Sequence, residues 1–553
     1  MSVQKPFDER SLEKGSEKGR LPSDTIVEAA HPADDRFHFD ERDLDQVQRR
    51  LKQRHVQMIA IAGTIGTGLF LGSGKALQRA GPLGALLAYI FIGSIAYATL
   101  CSVGEMTSFA PISGSFPHYA ARWVDPALGF ALGWNYFYTQ AMTIPVEVTA
   151  AQIILTFWDD NPQHVAIYTA VISVCICLIN LFGVRWFGES EFFFSFIKLA
   201  LISLLIITGL VIDLGGGPDH DRIGFRYWKN PGALNTFLVD SPKSTGRFLA
   251  LIGVLIQAAF SFQGMELVAI AASETENPRR NIAKAVRRVF YRILFFYILG
   301  ILITGMVIPY NDPALLSDSN NAAQSPYVIA MTRAGIKGLP HVVNAGVFTS
   351  AFSAGNSFLF CASRVLYGLA LRGQAPSIFA RCTKAGLPWI SVLFCSSFAF
   401  LSFMNVNSGS ANVFNWFVNL TTVGGLIAWC GINSAYLGFW RGLRAQGYDR
   451  KTFIYYSSLQ PYLSIWGIFW TSLIVLINGF DVFFDFTAAG FLTAYLNIPL
   501  FVILLFGWKF WKRTKMWHPT QMDFTTGIPS VEETESPEIP PTTIKGKIFE
   551  AIF

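Results

Sequence analysis

The chain has 553 residues, 52% of them hydrophobic and 15% aromatic, but only 14% charged, and its mean hydropathy is +0.39. That balance excludes an ordinary soluble domain and predicts a membrane protein, so the formal net charge of +6 needs no nucleic acid partner. Residues 1–54 are polar and charged, read as a disordered cytoplasmic tail with no secretory signal, and the first apolar run then acts as an uncleaved insertion signal. Twelve apolar runs follow, at 56–77, 83–104, 126–157, 164–182, 191–213, 248–272, 287–309, 340–370, 389–405, 412–440, 461–480 and 484–511, and each is read as a membrane-spanning helix. Basic residues collect in the even-numbered loops, with Arg122, Arg185, Arg279, Arg280, Lys284, Arg372, Arg381, Arg441 and Arg450 among them, whereas "WDDNP" and "MNVNSGSANV" on the other side carry none. Both termini are therefore expected in the cytoplasm. The segment "EMTSFAPISGSFPHYAARWVDPALG" after the second run is too apolar for a free linker and too broken by Pro111, Gly114 and Pro117 to cross, and reads as an interfacial or re-entrant element. Residues 514–553 lack apolar periodicity and read as a disordered cytoplasmic tail, although the closing "IFEAIF" can dock. The seven cysteines lie mostly in apolar runs, without CxxC pairs or histidine clusters, and read as packing residues; no cofactor or metal is expected.

The candidate chemistry starts in the first run, where "GTIGTG" puts Gly63, Gly66 and Gly68 within six residues. Each glycine weakens a helix by roughly 1 kcal/mol relative to alanine. One reading is close helix packing through Gly68 and Gly72. The other is an unwound segment, tolerated in a membrane only where it lines a cavity, whose bare N–H groups at the start of the following half-helix suit a carboxylate. An inverted-repeat transporter would carry a second break five spans later, and the sixth run has Phe262-Gln263-Gly264-Met265-Glu266. Glu266 and Glu147 are intramembrane acids, each either a functional group or a hydrogen-bonded structural one. Gln140 and Thr143 share a helical face with Glu147. Lys198, about two turns from Glu191, either snorkels to the boundary or points inward and replaces a bound cation, releasing a proton during transport. In the eighth run Ser350, Ser353, Asn356 and Ser357 form a polar seam, explained by close packing or by contact of Ser353 with the break in the first run. No Walker loop, nucleophile elbow or metal-ligand spacing occurs, so an enzyme or ATP-driven pump is not expected.

From about Arg54 to Arg513 the sequence resembles the fungal amino acid permeases of the amino acid–polyamine–organocation superfamily. The resemblance rests on "HVQMIAIAGTIGTGLFLGSG", on "AGPLGALLAYIFIGSIAYATLCSVGEMTSFAP" with Gly81-Pro82, Gly104-Glu105 and Pro111, on "GESEFFFSFIK", on "DRIGFRYW" and on "ELVAIAASETENPRRNIAKAVRRVFYRI". It implies an all-α membrane protein of twelve transmembrane helices, the first ten forming two inverted five-helix repeats with helices 1 and 6 broken. It also implies import of L-amino acids with protons across the plasma membrane, with membrane lipids as surroundings. By carry-over, Ile65, Gly66, Thr67 and Gly68 would meet the substrate carboxylate, and carbonyls near Phe262 and Gly264 its ammonium. Lys198 matches the lysine that stands in place of a sodium ion in proton-coupled relatives, and Glu147 and Glu266 match acids of the fungal branch. A receptor that senses amino acids with little transport, or a permease for acidic amino acids, are the alternatives. Apart from Lys198 the presumed pocket spans show no cation at mid-depth, and Asn415, Asn419, Thr421 and Thr422 suit neutral side chains, so neutral or broad specificity is expected.

Overall fold

A computed structural model describes residues 49, 51–159, 161–316, 325–408 and 410–536. Most of the predicted N-terminal tail, and the closing "IFEAIF", lie outside them. Order begins before Arg54, however: Leu51 is buried, its amide donates to the Glu274 carbonyl (2.9 Å), and its carbonyl accepts from the Glu276 amide (2.8 Å).

The elements in order are α1 (Gln53–Thr64), α2 (Thr67–Phe70), α3 (Gly72–Phe109), α4 (Ser115–Trp123), α5 (Pro126–Leu155), α6 (Val165–Leu181), α7 (Val184–Asp213), α8 (Lys243–Phe262), α9 (Leu267–Ile270) and α10 (Pro278–Val307). They continue as α11 (Pro313–Leu316), α12 (Pro326–Arg333), α13 (Leu339–Leu371), α14 (Trp389–Ser396), α15 (Asn405–Ser408), α16 (Ser410–Ala445), α17 (Tyr462–Ile477), α18 (Ala488–Tyr495), α19 (Asn497–Lys512) and α20 (Val531–Thr534). Among the described residues the regular structure is entirely helical. Among the described residues six helical stretches are long and apolar enough to cross a membrane, and α18 with α19, bent by 42°, makes a seventh. The most extensive helix contact, between α5 and α13, involves two helices that fall outside this set. Their buried faces carry Asn135, Thr139, Gln140 and Glu147 on α5, and Ser350, Ser353 and Asn356 on α13. Polar groups facing a bundle interior dilute the apolar signal of the helices that form it. The outer helices show the opposite pattern, with Ile167, Val171 and Val174 of α6, Phe193 and Phe196 of α7, and Phe506 and Phe510 of α19 exposed. Those exposed apolar faces suit lipid.

The first two apolar runs meet at a hinge of one residue. Gly81 sits at φ 74°, and a side chain there would press on the backbone of the fifth loop, within 2.9 Å of Ala233 O and Asn235 N. Only glycine combines that φ with so close an approach. Helix α7 begins at Val184, seven residues before the predicted start, so Glu191 lies inside it rather than at its mouth.

The predicted interfacial element is α4, a buried helix, and on it docks a segment expected to be disordered. Residues 514–536 are ordered, and Met522 and Phe524 are buried, with Phe524 against the Trp123 and Phe439 rings. Arg122, almost wholly buried, pairs with Asp523 (3.2 Å), and Trp123 Nε1 donates to the Asp523 carbonyl (3.0 Å). The apolar anchors are too few for a periodic pattern, which is why the sequence reads as tail. Asp523→Asn keeps the volume but removes the charge opposite a buried guanidinium, and is expected to lower stability by about 1–3 kcal/mol. The unfolding midpoint of detergent-purified protein measures this; an unchanged midpoint would show the docked segment to be energetically idle.

Candidate functional site

The first break lies between α1 and α2. The chain leaves the helix at Ile65 and Gly66, and Gly66 is extended at φ −135°. The orphaned carbonyls find side chains: Thr64 O accepts from the Tyr297 hydroxyl (2.8 Å) and Ile65 O from Ser350 Oγ (3.2 Å). The helix resumes at Thr67; the Leu69 N–H already donates to Gly66 O (3.3 Å), so the N–H groups that precede the helical ladder are those of Thr67 and Gly68. The two central glycines have different jobs. A Cβ at Gly66 would sit 3.7 Å from Ala354 Cβ and 3.8 Å from Glu147 Oε1, ordinary contacts, whereas one at Gly68 would lie 2.8 Å from Ser261 Cα. Gly68 is therefore a packing glycine against α8, and Gly66 keeps open the space beside Glu147.

The second break separates α8 from α9. Gly264 adopts φ 94°, which favours glycine, and Gln263 Nε2 donates to the Thr422 carbonyl (2.9 Å). Tyr297 joins the two breaks, since its hydroxyl also reaches Ser261 O (2.5 Å) while its ring stacks on Phe262 at 4.6 Å. Glu266 is buried, with Oε1 accepting from the Tyr136 hydroxyl (3.1 Å) and Oε2 from Trp429 Nε1 (3.3 Å).

Between α1, α5, α7 and α13 lies a cluster of ionisable groups. Lys198 is 0% exposed, so it does not snorkel, and its ammonium is within electrostatic reach of both Glu147 and Glu191. Glu147 accepts from Thr67 Oγ1 (3.1 Å), while its Oε2 has no hydrogen-bond partner among the described residues. Glu191 accepts from Ser353 Oγ (2.7 Å) and Asn356 Nδ2 (2.5 Å). The α13 hydroxyl that meets the first break is thus Ser350, and Ser353 serves Glu191 instead. Thr143, predicted to share the Glu147 face, bonds back to the Thr139 carbonyl (2.7 Å). With all three ionised, two carboxylates and one ammonium leave one unbalanced negative charge in a buried site, which is costly, and one proton removes it. Sequence reasoning missed Glu191 as a member; its spacing of seven from Lys198, two turns on one face, was the available signal.

A second missed residue is Lys75 on α3. It lines a cavity of about 450 Å³ together with Arg79, Gln257, Asn415, Asn419 and Asp481. Lys75 stands two turns beyond Gly68, near the end of the first predicted run.

Paired interrupted helices, tied together and flanked by a buried charge cluster inside a lipid-facing bundle, define a membrane transporter. The Amino acid permease family profile matches residues 55–518. A proline-specific permease of Emericella nidulans is 42% identical over 529 residues, 94% of this chain and 95% of that protein. A dicarboxylic amino acid permease of Saccharomyces cerevisiae is 41% identical, covering 87% of this chain and 80% of that protein. In fold, the chain is similar to a Na+-coupled sialic acid symporter solved in a substrate-bound outward-open state, with a TM-score of 0.50 and 13% identity, over 83% of this chain and 92% of that one. The chain belongs to the amino acid permease family and is a transporter rather than an enzyme.

Proposed function

We propose that the chain is a proton-coupled L-amino acid symporter of neutral or broad specificity, importing its substrate across the plasma membrane by alternating access. In this reading twelve helices span the membrane with both termini cytoplasmic, and the first ten form two inverted repeats around the breaks. The substrate carboxylate is held by backbone N–H groups from Ile65 to Gly68, and its ammonium by carbonyls around Phe262 and Gly264. The observation that carries the coupling is the charge cluster: Lys198, Glu147 and Glu191 are one proton short of neutrality, and Glu147 reaches the first break through Thr67. A proton taken up there changes the charge beside the bound substrate, so the protonated and deprotonated forms differ in substrate affinity. Glu266, already held by Tyr136 and Trp429, positions the start of α9 and takes proton transfer as a second role in this reading.

Lys75 does not turn the specificity toward acidic amino acids. The cavity that Lys75 lines includes Gly253 and Gln257 of α8 but none of the break residues Ile65–Gly68 or Gln263–Glu266, so in this reading Lys75 serves that cavity rather than the site at the breaks. Relatives named for proline and for dicarboxylic amino acids match about equally well, so competition of one labelled amino acid by each of the other nineteen is the deciding test. Expressed in a permease-deficient cell, the chain is expected to take up neutral amino acids, and an uncoupler is expected to abolish their accumulation. Competition by aspartate and glutamate alone would overturn the specificity, absence of uptake would favour a receptor, and uncoupler-insensitive accumulation would overturn the proton coupling.

A further inference from the structure

We propose that the cavity around Lys75 is a second subsite, apart from the two breaks, that captures the zwitterionic head group of an amino acid; this rests on the amino acid transport reading above. The carboxylate goes to Lys75 and Arg79, and the ammonium to Asp481 and Asp485.

The cavity, about 450 Å³, is in the range of small-molecule sites. Four charged side chains line it, two of each sign. Lys75 and Arg79 stand one turn apart on α3, and like charges at that spacing repel one another. Their repulsion is poorly relieved from within. Lys75 Nζ donates to a neutral amide, Asn415 Oδ1 (2.5 Å), and among the described residues no carboxylate forms an ion pair with it. Arg79 lies 3.7 Å from Asp481, with both side chains 34% exposed, and is steadied by the Gly253 carbonyl (3.1 Å) and the Phe237 ring. A long, half-open ion pair contributes little and exchanges readily for another partner. A simple anion entering here would face Asp481 and Asp485, and a simple cation would face Lys75 and Arg79. A molecule carrying both charges a few ångströms apart satisfies the set. The rest of the lining is largely apolar, with Ile252, Ile256, Ile474 and Val482 among it.

The test uses the full chain in nanodiscs, accessible from both faces. Ile256 lines the cavity, and Ile256→Cys is labelled with a methanethiosulfonate reagent, with the parent protein measuring reaction at the native cysteines. The protectant is an equimolar mixture of the proteinogenic L-amino acids other than cysteine. The mixture is expected to slow labelling several-fold, and Lys75→Gln or Asp481→Asn to raise the half-protecting concentration by about tenfold, the effect of losing one charge-assisted contact. The corresponding decarboxylated amines and N-acetyl amino acids are expected to protect poorly. Protection is expected to persist when Gly66→Leu, or Gly66→Val should the leucine variant not fold, removes binding at the break. Absent protection, protection indifferent to Lys75 and Asp481, or equal protection by singly charged analogues each overturns the subsite. So does protection that vanishes with the Gly66 variant, since it would then report the break. Persistent protection in a chain that shows no uptake would overturn the transport reading and leave the subsite standing.

Discussion

Gly66→Leu is expected to reduce amino acid binding by at least a hundredfold while leaving a folded protein. The residue is extended, a conformation any side chain adopts, and its Cβ position has ordinary room, so the backbone is not strained by substitution. What a leucine fills is the space beside Glu147 through which a carboxylate would approach the bare N–H groups. Two hydrogen bonds to a charged group contribute about 3–6 kcal/mol together, a factor of roughly a hundred to ten thousand in affinity. Gly66→Ala is expected to show a smaller loss. Gly68→Ala has a different signature, because its Cβ meets the Ser261 backbone at 2.8 Å, and it is expected to lower the melting midpoint as well as binding. Equilibrium binding and thermal unfolding on the same preparations separate the two. Wild-type affinity in Gly66→Leu would return the glycine cluster to a packing role.

Lys198→Ala is expected to abolish accumulation against a gradient while leaving exchange. Removing the ammonium leaves Glu147 and Glu191 without the cation that both sit near, and at least one is expected to stay protonated through the cycle, so the proton no longer moves with the substrate. One proton crossing 100 mV supplies about 2.3 kcal/mol, a concentration ratio of roughly fiftyfold, and the variant is expected to fall to a ratio of about one. Counterflow of labelled substrate controls for a misfolded protein, since it needs binding and alternation but no proton gradient. Should Lys198→Ala still concentrate substrate, the proton belongs elsewhere, and Glu266, buried under Tyr136 and Trp429, is the next group to test.

Both tests concern residues that were visible in the sequence, and what the structure added is instructive. The break at Ile65 and Gly66 falls within the glycine cluster, and the one at Gln263–Glu266 surrounds the single glycine flagged in the sixth run. Lys198 was legible as an intramembrane charge. Its surroundings were not, because the fifth run was started at Glu191 when the helix begins at Val184; two missing turns turned a buried acid into a boundary marker. Of the two readings of the α13 seam, contact of Ser353 with the first break is replaced by contact with Glu191 for a related reason. Ser350 and Ser353 lie on one seam, and the rotation of α13 against α1 and α7 decides which hydroxyl meets which acceptor.

The sequence by itself determined what depends on composition and local backbone preference: a membrane-embedded helical chain, helices interrupted where glycines cluster, and acids and a lysine placed where only function or pairing tolerates them. Only the tertiary structure decided the partners. Glu191 meets Ser353 across 162 positions, Tyr297 bridges carbonyls of both breaks, Lys75 opens onto a cavity, and residues 514–536 dock through a few buried side chains. Helix breaking is a property of a few consecutive residues. Pairing depends on where each helix starts and how it is rotated, and an error of one residue turns a side chain by about 100° away from its partner.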